Sequence, residues 1–575
     1  MKNWFSPAVI LLTAILLTGC NESAPQPGPE LATWSEPVPE IPDYSSLELP
    51  EKPNILWLVA EDLSPYIAAY GDSTVHTPNL DRLAAEGVRY TRMFSPSGVC
   101  APSRAAIALG MYPTRTGAMH MRTGPWYSTQ ENPPDTWYDG RKIYEAVPPA
   151  GTHMHSTLMR RAGYYATNNA KQDYQFRTEL TAWDESSRDA HWRNRPSPEQ
   201  PFFAIFNFEV THESRIWMRA GDSLLIDPDR EITVPPYLPD TDSVRTDLRR
   251  MYSNIVEMDR QVGIILDQLE ADGLLENTVV FWYGDHGGPL PRSKRSLYDT
   301  GLQVPLLVRF PGAQLAGQTD GQLLSFVDLK PTILSLAGVE PPRGLDGRAW
   351  AGAFRAEKPR EYIHAAADDF DGCCHGRLRA VRDYRFKYIR NFLPEQAYYQ
   401  PVPYREQMPA MRELLRRKEQ GTLDSVQLQW FATGGAGEAL FDTQNDSLEL
   451  RNLAGNPQYA DVLEELREEL SRWMQATHDL GMIDEPEYLE RIWPEGSQPV
   501  TQTPVVEASS GQLILESETP GAAIGFQWVK PGQIPAAAWT PYTDPIEIQT
   551  GQELVARAHR IGFLPSQEIR WQAAE

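Results

Sequence analysis

Residues 54–62 read NILWLVAED: a strand-length run from Asn54 to Ala60, apolar after its first residue, then the acidic pair Glu61 and Asp62. An unbroken apolar run of this length marks a strand buried on both faces, as in parallel sheets covered by helices. The pattern returns at Gly163–Asn169, Pro201–Glu209 (PFFAIFNFE), Thr278–Tyr283 (TVVFWY) and Val304–Phe310 (VPLLVRF). Helical patterns lie between these runs, notably Asp247–Glu270 and a short helix opened by Thr77 as cap residue and closed by Gly87. The alternation predicts an α/β fold, a mostly parallel central sheet sandwiched by helices.

The 575 residues leave room for more than this domain. From about Glu361 the texture changes. Arg377–Asn391 alternates like one half-exposed antiparallel strand and Asp461–Thr477 is an amphipathic helix, which suggests a smaller α+β subdomain. After Pro494, short alternating stretches (Gln512–Glu516, Ile524–Trp528, Ile546–Gln549, Glu553–His559) predict an appended β-sandwich. The expected division is therefore 51–355 for the α/β domain, 356–495 for the subdomain and 496–575 for the β-module.

The amino-terminal end reads as an export signal over 1–20: Lys2, an apolar run too short to span a membrane, then Leu17-Thr18-Gly19-Cys20. That ending resembles a bacterial lipobox, which implies a lipid on Cys20 and membrane attachment at the cell envelope, on the outer membrane or the periplasmic face. Residues 21–50 carry seven prolines, the composition of an extended tether.

The net charge of −24 argues against a nucleic-acid partner, since such proteins need a basic face to displace counterions. An anionic substrate stays open, because salt screens distant charge within about 8–10 Å and a local Arg/Lys cluster can act alone. Four cysteines (Cys20, Cys100, Cys373, Cys374) are too few for a disulfide scaffold. The vicinal pair Cys373-Cys374, near Asp368, Asp369, Asp371 and His375, reads as thiols or a strained disulfide before a metal site.

Chemistry-bearing residues stand where strands end: Glu61-Asp62, Lys171, His212 and Asp285-His286. Open α/β sheets bind ligands at the carboxyl ends of their strands. One segment sets the centre, Cys100-Ala101-Pro102-Ser103-Arg104, followed by a helical run from Ala105 to Leu109 and by Gly110. Cys-x-Pro-Ser-Arg, with Thr77-Pro78-Asn79-Leu80-Asp81, Val304-Pro305-Leu306, Asp328 with Pro331-Thr332, and Leu345-Asp346-Gly347, resembles the type I formylglycine sulfatases of the alkaline phosphatase superfamily. The resemblance runs from Pro53 to Thr477. In that family a formylglycine-generating maturation enzyme oxidises the motif's Cys to an aldehyde (3-oxoalanine).

The resemblance implies roles position by position. Cys100, as hydrated formylglycine, is the nucleophile, and Arg104 holds the hydrate and the sulfate. Glu61, Asp62, Asp285 and His286 match the four metal-ligand positions, Lys171 and Lys294 the two sulfate-binding lysines, and His212 the acid for the leaving oxygen. These types suit the chemistry: charge develops on the leaving oxygen, and a metal, Arg and Lys stabilise it.

Three departures bear on detail. Glu61 stands where Asp is common. His286 replaces Asn, which favours Zn²⁺ or Mn²⁺, although three carboxylates keep Ca²⁺ as first expectation, with Mg²⁺ as another hard ion. Asp173 stands where the family has His, and is expected to serve as the base. His120, Arg122, Asn169 and Arg215 are expected near the substrate, as is Asn168; Trp183 and Trp217 stack on sugar or simply pack. The substrate implied is a sulfated carbohydrate, a polysaccharide such as ulvan, carrageenan or a heparan-like glycan, or its oligosaccharides. Two alternatives stay open at this point: a phosphomonoesterase or phosphonate hydrolase on the same fold, and a catalytically dead glycan-binding surface protein.

Overall fold

The structure is a computed structural model and describes residues 40–121, 142–370, 376–434 and 437–573. Cys20, Arg122, Asp371, Cys373, Cys374 and His375 fall outside that set, as does the expected export signal. Among the described residues no helix is long and apolar enough to cross a membrane.

The central sheet is built from β1 (Asn54–Ala60), β2 (Val88–Phe94), β3 (Tyr165–Asn169), β4 (Glu185–Ser186), β5 (Phe202–Phe208), β6 (Thr278–Gly284), β7 (Gln303–Arg309), β8 (Thr319–Asp320) and β9 (Leu324–Ser325). Its order is β4-β3-β5-β1-β6-β7-β2-β8, with β9 also on β2. From β4 to β6 every pairing is parallel. Strand β7 runs antiparallel to both neighbours, so the Val304–Phe310 run belongs to the sheet but breaks its parallel order. All seven residues of β1 are buried, as the apolar run requires.

Two apolar layers cover the sheet. Leu56 and Leu58 face one, against Val244, Leu248 and Ile255 of the helix Asp242–Ala271. Ile55, Trp57 and Val59 face the other, against Ala105, Ala108 and Leu109. Helix α1 (Pro78–Glu86) starts after Thr77, yet the Thr77 hydroxyl does not cap it. Asp259 of the long helix does so instead, accepting from Leu80 N at 2.9 Å.

Three further expectations change. Chain packing begins before residue 50, the expected end of the tether. Tyr44 is buried, and its hydroxyl donates to Asp320 Oδ2 at 2.6 Å. Arg377–Asn391 is a hairpin, Leu378–Arg382 and Phe386–Asn391, in a four-stranded antiparallel sheet with Ile363–Ala367 and Glu438–Asp442. It is buried on both faces, because the helix Ala460–Ala476 covers one side through Leu463, Leu466, Leu470 and Trp473.

The last 70 or so described residues form two small antiparallel sheets. Between them lie Leu513, Leu515, Leu554, Ala556 and Ala558. The outer face of the four-stranded sheet packs Val529, Trp539 and Val555 against Leu180 of the α/β domain, and Arg160 donates to the Trp539 carbonyl at 2.8 Å. The module packs on the α/β domain through that face.

Candidate active site

Register places the site. Ala60 lies opposite both Phe208 and Gly284, so the chain leaves β1, β5 and β6 at one height. Glu61-Asp62, the segment from Glu209 to Glu213, and Asp285-His286 then converge above the sheet. Asp62 takes a left-handed backbone (φ 46), unusual for a non-glycine residue. Its amide donates to Asp285 Oδ1 at 2.9 Å and its Oδ2 accepts from Glu213 N at 2.6 Å.

Helix α2 (Cys100–Leu109) begins at the cysteine itself, one turn earlier than the helical run legible in the sequence. Pro102 is tolerated in this first turn because the amide it lacks has no partner in the helix. The Ser103 hydroxyl donates to the Asp285 carbonyl and accepts from Ser95 Oγ at 2.9 Å, tying the helix start to the end of β6. Cys100, with 1% exposure, has its Sγ 3.3 Å from His286 Nε2. Burial pushes this thiol up despite Lys294, Lys171 and His286 nearby. A protonated thiol is a poor nucleophile at neutral pH, so Cys100 has little reactivity as a plain cysteine.

Cations and carboxylates interlock around Cys100. Arg104 donates from Nε to Asp285 Oδ2 at 3.0 Å and from Nη1 to Asn207 Oδ1 at 2.7 Å. Lys171 Nζ is 2.9 Å from Glu61 Oε1 and 3.3 Å from Asp173 Oδ2. Lys294 Nζ lies 2.9 and 2.8 Å from the two Asp62 oxygens, 3.2 Å from Glu213 Oε1 and 3.2 Å from His212 Nε2. Arg295 grips Glu213 with both terminal nitrogens, at 2.9 and 2.8 Å.

The titration directions follow from these contacts. Burial pushes Glu61 up to about 7 against the pull of Lys171 and Arg104. Burial also opposes the charge of Asp62, but Lys294, His212 and His286 outweigh it and hold the carboxyl well below its usual range. His286 resists the same burial, because Asp285, Cys100 and Asp62 push it up to about 10. His212 goes the other way, down to about 3, through burial and the adjacent Lys294 ammonium. Burial and that ammonium leave the His212 imidazole neutral, accepting from Lys294.

The donor set fits a divalent cation. Asp62, Cys100 and His286 offer ligand atoms within 4.8 Å of one another, all buried, and Asp285 Oδ1 stands 3.7 Å from His286 Nε2. Two buried carboxylates with an imidazolium between them form a place where one positive charge can exchange for another. Glu61 is turned toward Lys171 and Arg104 instead.

The remaining expected residues divide. Asn168 and Asn169 reach the centre through Asn207, whose Nδ2 donates to Asn168 Oδ1 at 3.1 Å and the Asn169 carbonyl at 3.0 Å. Arg215 N donates to the His212 carbonyl, and its guanidinium lines a neighbouring cleft. His120 is buried elsewhere, edge-on to Tyr144 and lining a cavity with Tyr488 and Arg377. Trp183 packs in the core against Phe203, whereas Trp217 meets Tyr404 beside His212. Asp368 is committed to Arg379 at 3.0 Å, which leaves it a structural ion pair.

Sequence reasoning missed Asn207, Glu213, Arg295 and Tyr404. Asn207 carried a signal, a polar residue near the carboxyl end of an apolar strand. Tyr404 carried none, since only the tertiary fold brings it beside His212.

Comparison with known proteins adds to this geometry. The Sulfatase family profile matches residues 53–339, and the profile "N-sulphoglucosamine sulphohydrolase, C-terminal" matches 292–400. An ulvan-active sulfatase of Formosa agariphila is 48% identical over 92% of this chain and 92% of its own. Human N-sulphoglucosamine sulphohydrolase is 26% identical over 74% of this chain and 90% of its own. A solved 2-O GAG sulfatase shares the fold at 21% identity, with a TM-score of 0.54 over 74% of this chain and 93% of that one. With so close a relative spanning nearly its whole length, the chain belongs to the sulfatase family.

Proposed function

We propose that this sulfatase removes sulfate esters from an ulvan-type polysaccharide or its oligosaccharides, using a formylglycine made from Cys100. The reaction is carried by one observation: Cys100 is buried at the head of α2 among Arg104, Lys171, Lys294 and the Asp62–His286 pair. The glycan class is supported by 48% identity to the Formosa agariphila ulvan-active enzyme. The Leu17–Cys20 stretch supports a lipid-anchored place in the bacterial cell envelope.

Asp62, Asp285 and His286 would hold a divalent ion, with Ca²⁺ favoured, which would supply a share of the positive charge, and the hydrated aldehyde of residue 100 would supply the nucleophilic hydroxyl. The chain's own groups do the rest. Arg104 is aimed by Asp285 and Asn207, so its guanidinium is fixed before substrate arrives. Lys171 enters from the end of β3 and Lys294 from the segment after β6, placing ammonium groups where sulfate oxygens gain charge. His212, neutral in the free site, would take up a proton from solvent as the ester's negative charge arrives and pass it to the departing sugar oxygen. Tyr404 and Trp217 stand beside His212, where an aromatic face suits a sugar ring.

The test is sulfate release, by ion chromatography, from ulvan, carrageenan and heparan oligosaccharides by protein co-expressed with a formylglycine-generating enzyme. Release from ulvan oligosaccharides that disappears in Cys100→Ala is the expected result. The mass of the Cys100 peptide reports maturation independently. An aldehyde there with no release from any glycan would overturn the substrate.

A further inference from the structure

A cleft of about 390 Å³ opens beside the active centre, lined by Asn169, Asn207, Glu209, Arg188, Arg215 and Arg219 among others. That is within the size range of small-molecule sites, roughly 300–1,000 Å³. Two contacts join it to the centre: Asn207 accepts from Arg104, and Arg215 N donates to the His212 carbonyl at 2.8 Å.

Its charge is unlike that of the protein as a whole. Three guanidinium groups line it against two carboxylates, in a chain of net charge −24. Glu257 is gripped by Arg260 at 2.9 and 2.7 Å and by Gln261 at 2.9 Å, so its charge is already met. Glu209 is shared: Arg215 Nη2 lies 3.4 Å from its Oε2 and Arg188 Nη2 lies 3.9 Å from the same atom. Both distances are longer than a strong charge-assisted hydrogen bond, about 2.7–2.9 Å. One loosely held carboxylate between two arginines leaves room for a second. Arg219 is anchored by Asp222 at 2.8 Å and Asn254 at 3.0 Å, which fixes its planar head in the wall. The Arg188 side chain is 84% exposed, so an incoming anion reaches it without rearrangement.

We propose that this cleft is a second anion subsite, which takes a carboxylate or sulfate on the sugar adjacent to the one being desulfated; this rests on the polysaccharide sulfatase reading above. Guanidinium groups match either anion through paired hydrogen bonds. The subsite would make the enzyme select a polyanionic chain over an isolated sulfated sugar.

The test uses the full chain carrying Cys100→Ala, so that ligands bind without turnover. Three disaccharides share a sulfate on one sugar, and the neighbouring sugar carries a carboxylate, a second sulfate or neither. Calorimetry should show about tenfold tighter binding when the neighbour is anionic, and whichever anion gives the gain names the natural group. Arg188→Ala with Arg219→Ala should remove that gain. Arg188→Glu, at an exposed position that does not disturb the core, should invert it. Equal affinity for the neutral-neighbour disaccharide, or a gain that survives both variants, would overturn the proposal. Sulfate release from the neutral-neighbour compound by the matured wild-type chain reports separately on the sulfatase reading.

Discussion

The ammonium of Lys294 lies 2.9 and 2.8 Å from the two oxygens of Asp62 and 3.2 Å from His212 Nε2, wholly inside the protein. One lysine thus joins Asp62, which we propose to hold a cation, with His212, which we propose to protonate the leaving group. A cation held at Asp62 would compete with Lys294 for that carboxylate.

Removing divalent ions should therefore cost both activity and stability. After EDTA treatment, sulfate release should fall at least a hundredfold and the unfolding temperature should drop, because a ligand that binds only the native state stabilises it by mass action. Elemental analysis of the untreated protein should find one divalent ion per chain. Calcium should restore release, and His286→Asn should still retain calcium, since carboxylates remain as hard donors.

Asn207 should govern Arg104 without touching sulfate. Asn207→Ala deletes a 2.7 Å hydrogen bond to a charged guanidinium. Such bonds contribute about 1.5–3 kcal/mol, so kcat/KM should fall about tenfold or more. An unchanged kcat/KM would show that Asp285 alone aims Arg104.

Glu213 should matter for stability before chemistry. Glu213→Gln removes the counter-charge that the buried Arg295 guanidinium meets at 2.8 and 2.9 Å. Breaking one side of a buried ion pair costs about 3–5 kcal/mol. The urea midpoint of the variant should move accordingly, with the slope of the transition unchanged.

His155 should set part of the acid sensitivity. It is 1% exposed between Trp57 and Phe203, and burial, helped by Lys330, lowers its imidazole to about 3. The unfolded chain takes up that proton near pH 6.5, the folded chain only near 3. Stability contributed here is present above about 6.5 and lost as pH falls toward 3, on the order of a few kcal/mol. His155→Phe should flatten stability against pH across that window, measured by urea midpoints between pH 4 and 7. Parallel curves for the two proteins would place the acid sensitivity elsewhere.

Trp539 should couple the β-module to the catalytic body. It is 4% exposed, packed over Gly525 and beside Leu180. Trp539→Ala should cost about 3–5 kcal/mol and lower the melting temperature.

Much of this was legible along the chain. Asn54–Ala60 and Glu553–His559 appear as strands with the limits their patterning shows, because period and apolarity are local properties. Cys100, Arg104, Asp62, Asp285, His286 and Lys171 could be named because each follows a strand or sits in one short motif, whereas Lys294 was named only through the family resemblance. The amino acids also determined that the body is α/β and acidic, with a cysteine where the motif demands it.

Tertiary structure decided the rest, because electrostatics acts through space. His212 is held neutral by its burial in the fold and by the ammonium of Lys294, 82 residues away. Glu61 faces Lys171 and Arg104, not the Asp62–His286 pair, because those cations reach it only through the fold. The Arg377–Asn391 hairpin is covered by a helix some 80 residues later, so its alternation misled. The arginine cleft gathers Arg188, Arg215 and Arg219 from separate segments, and no local pattern could announce a charge that exists only once they are folded together.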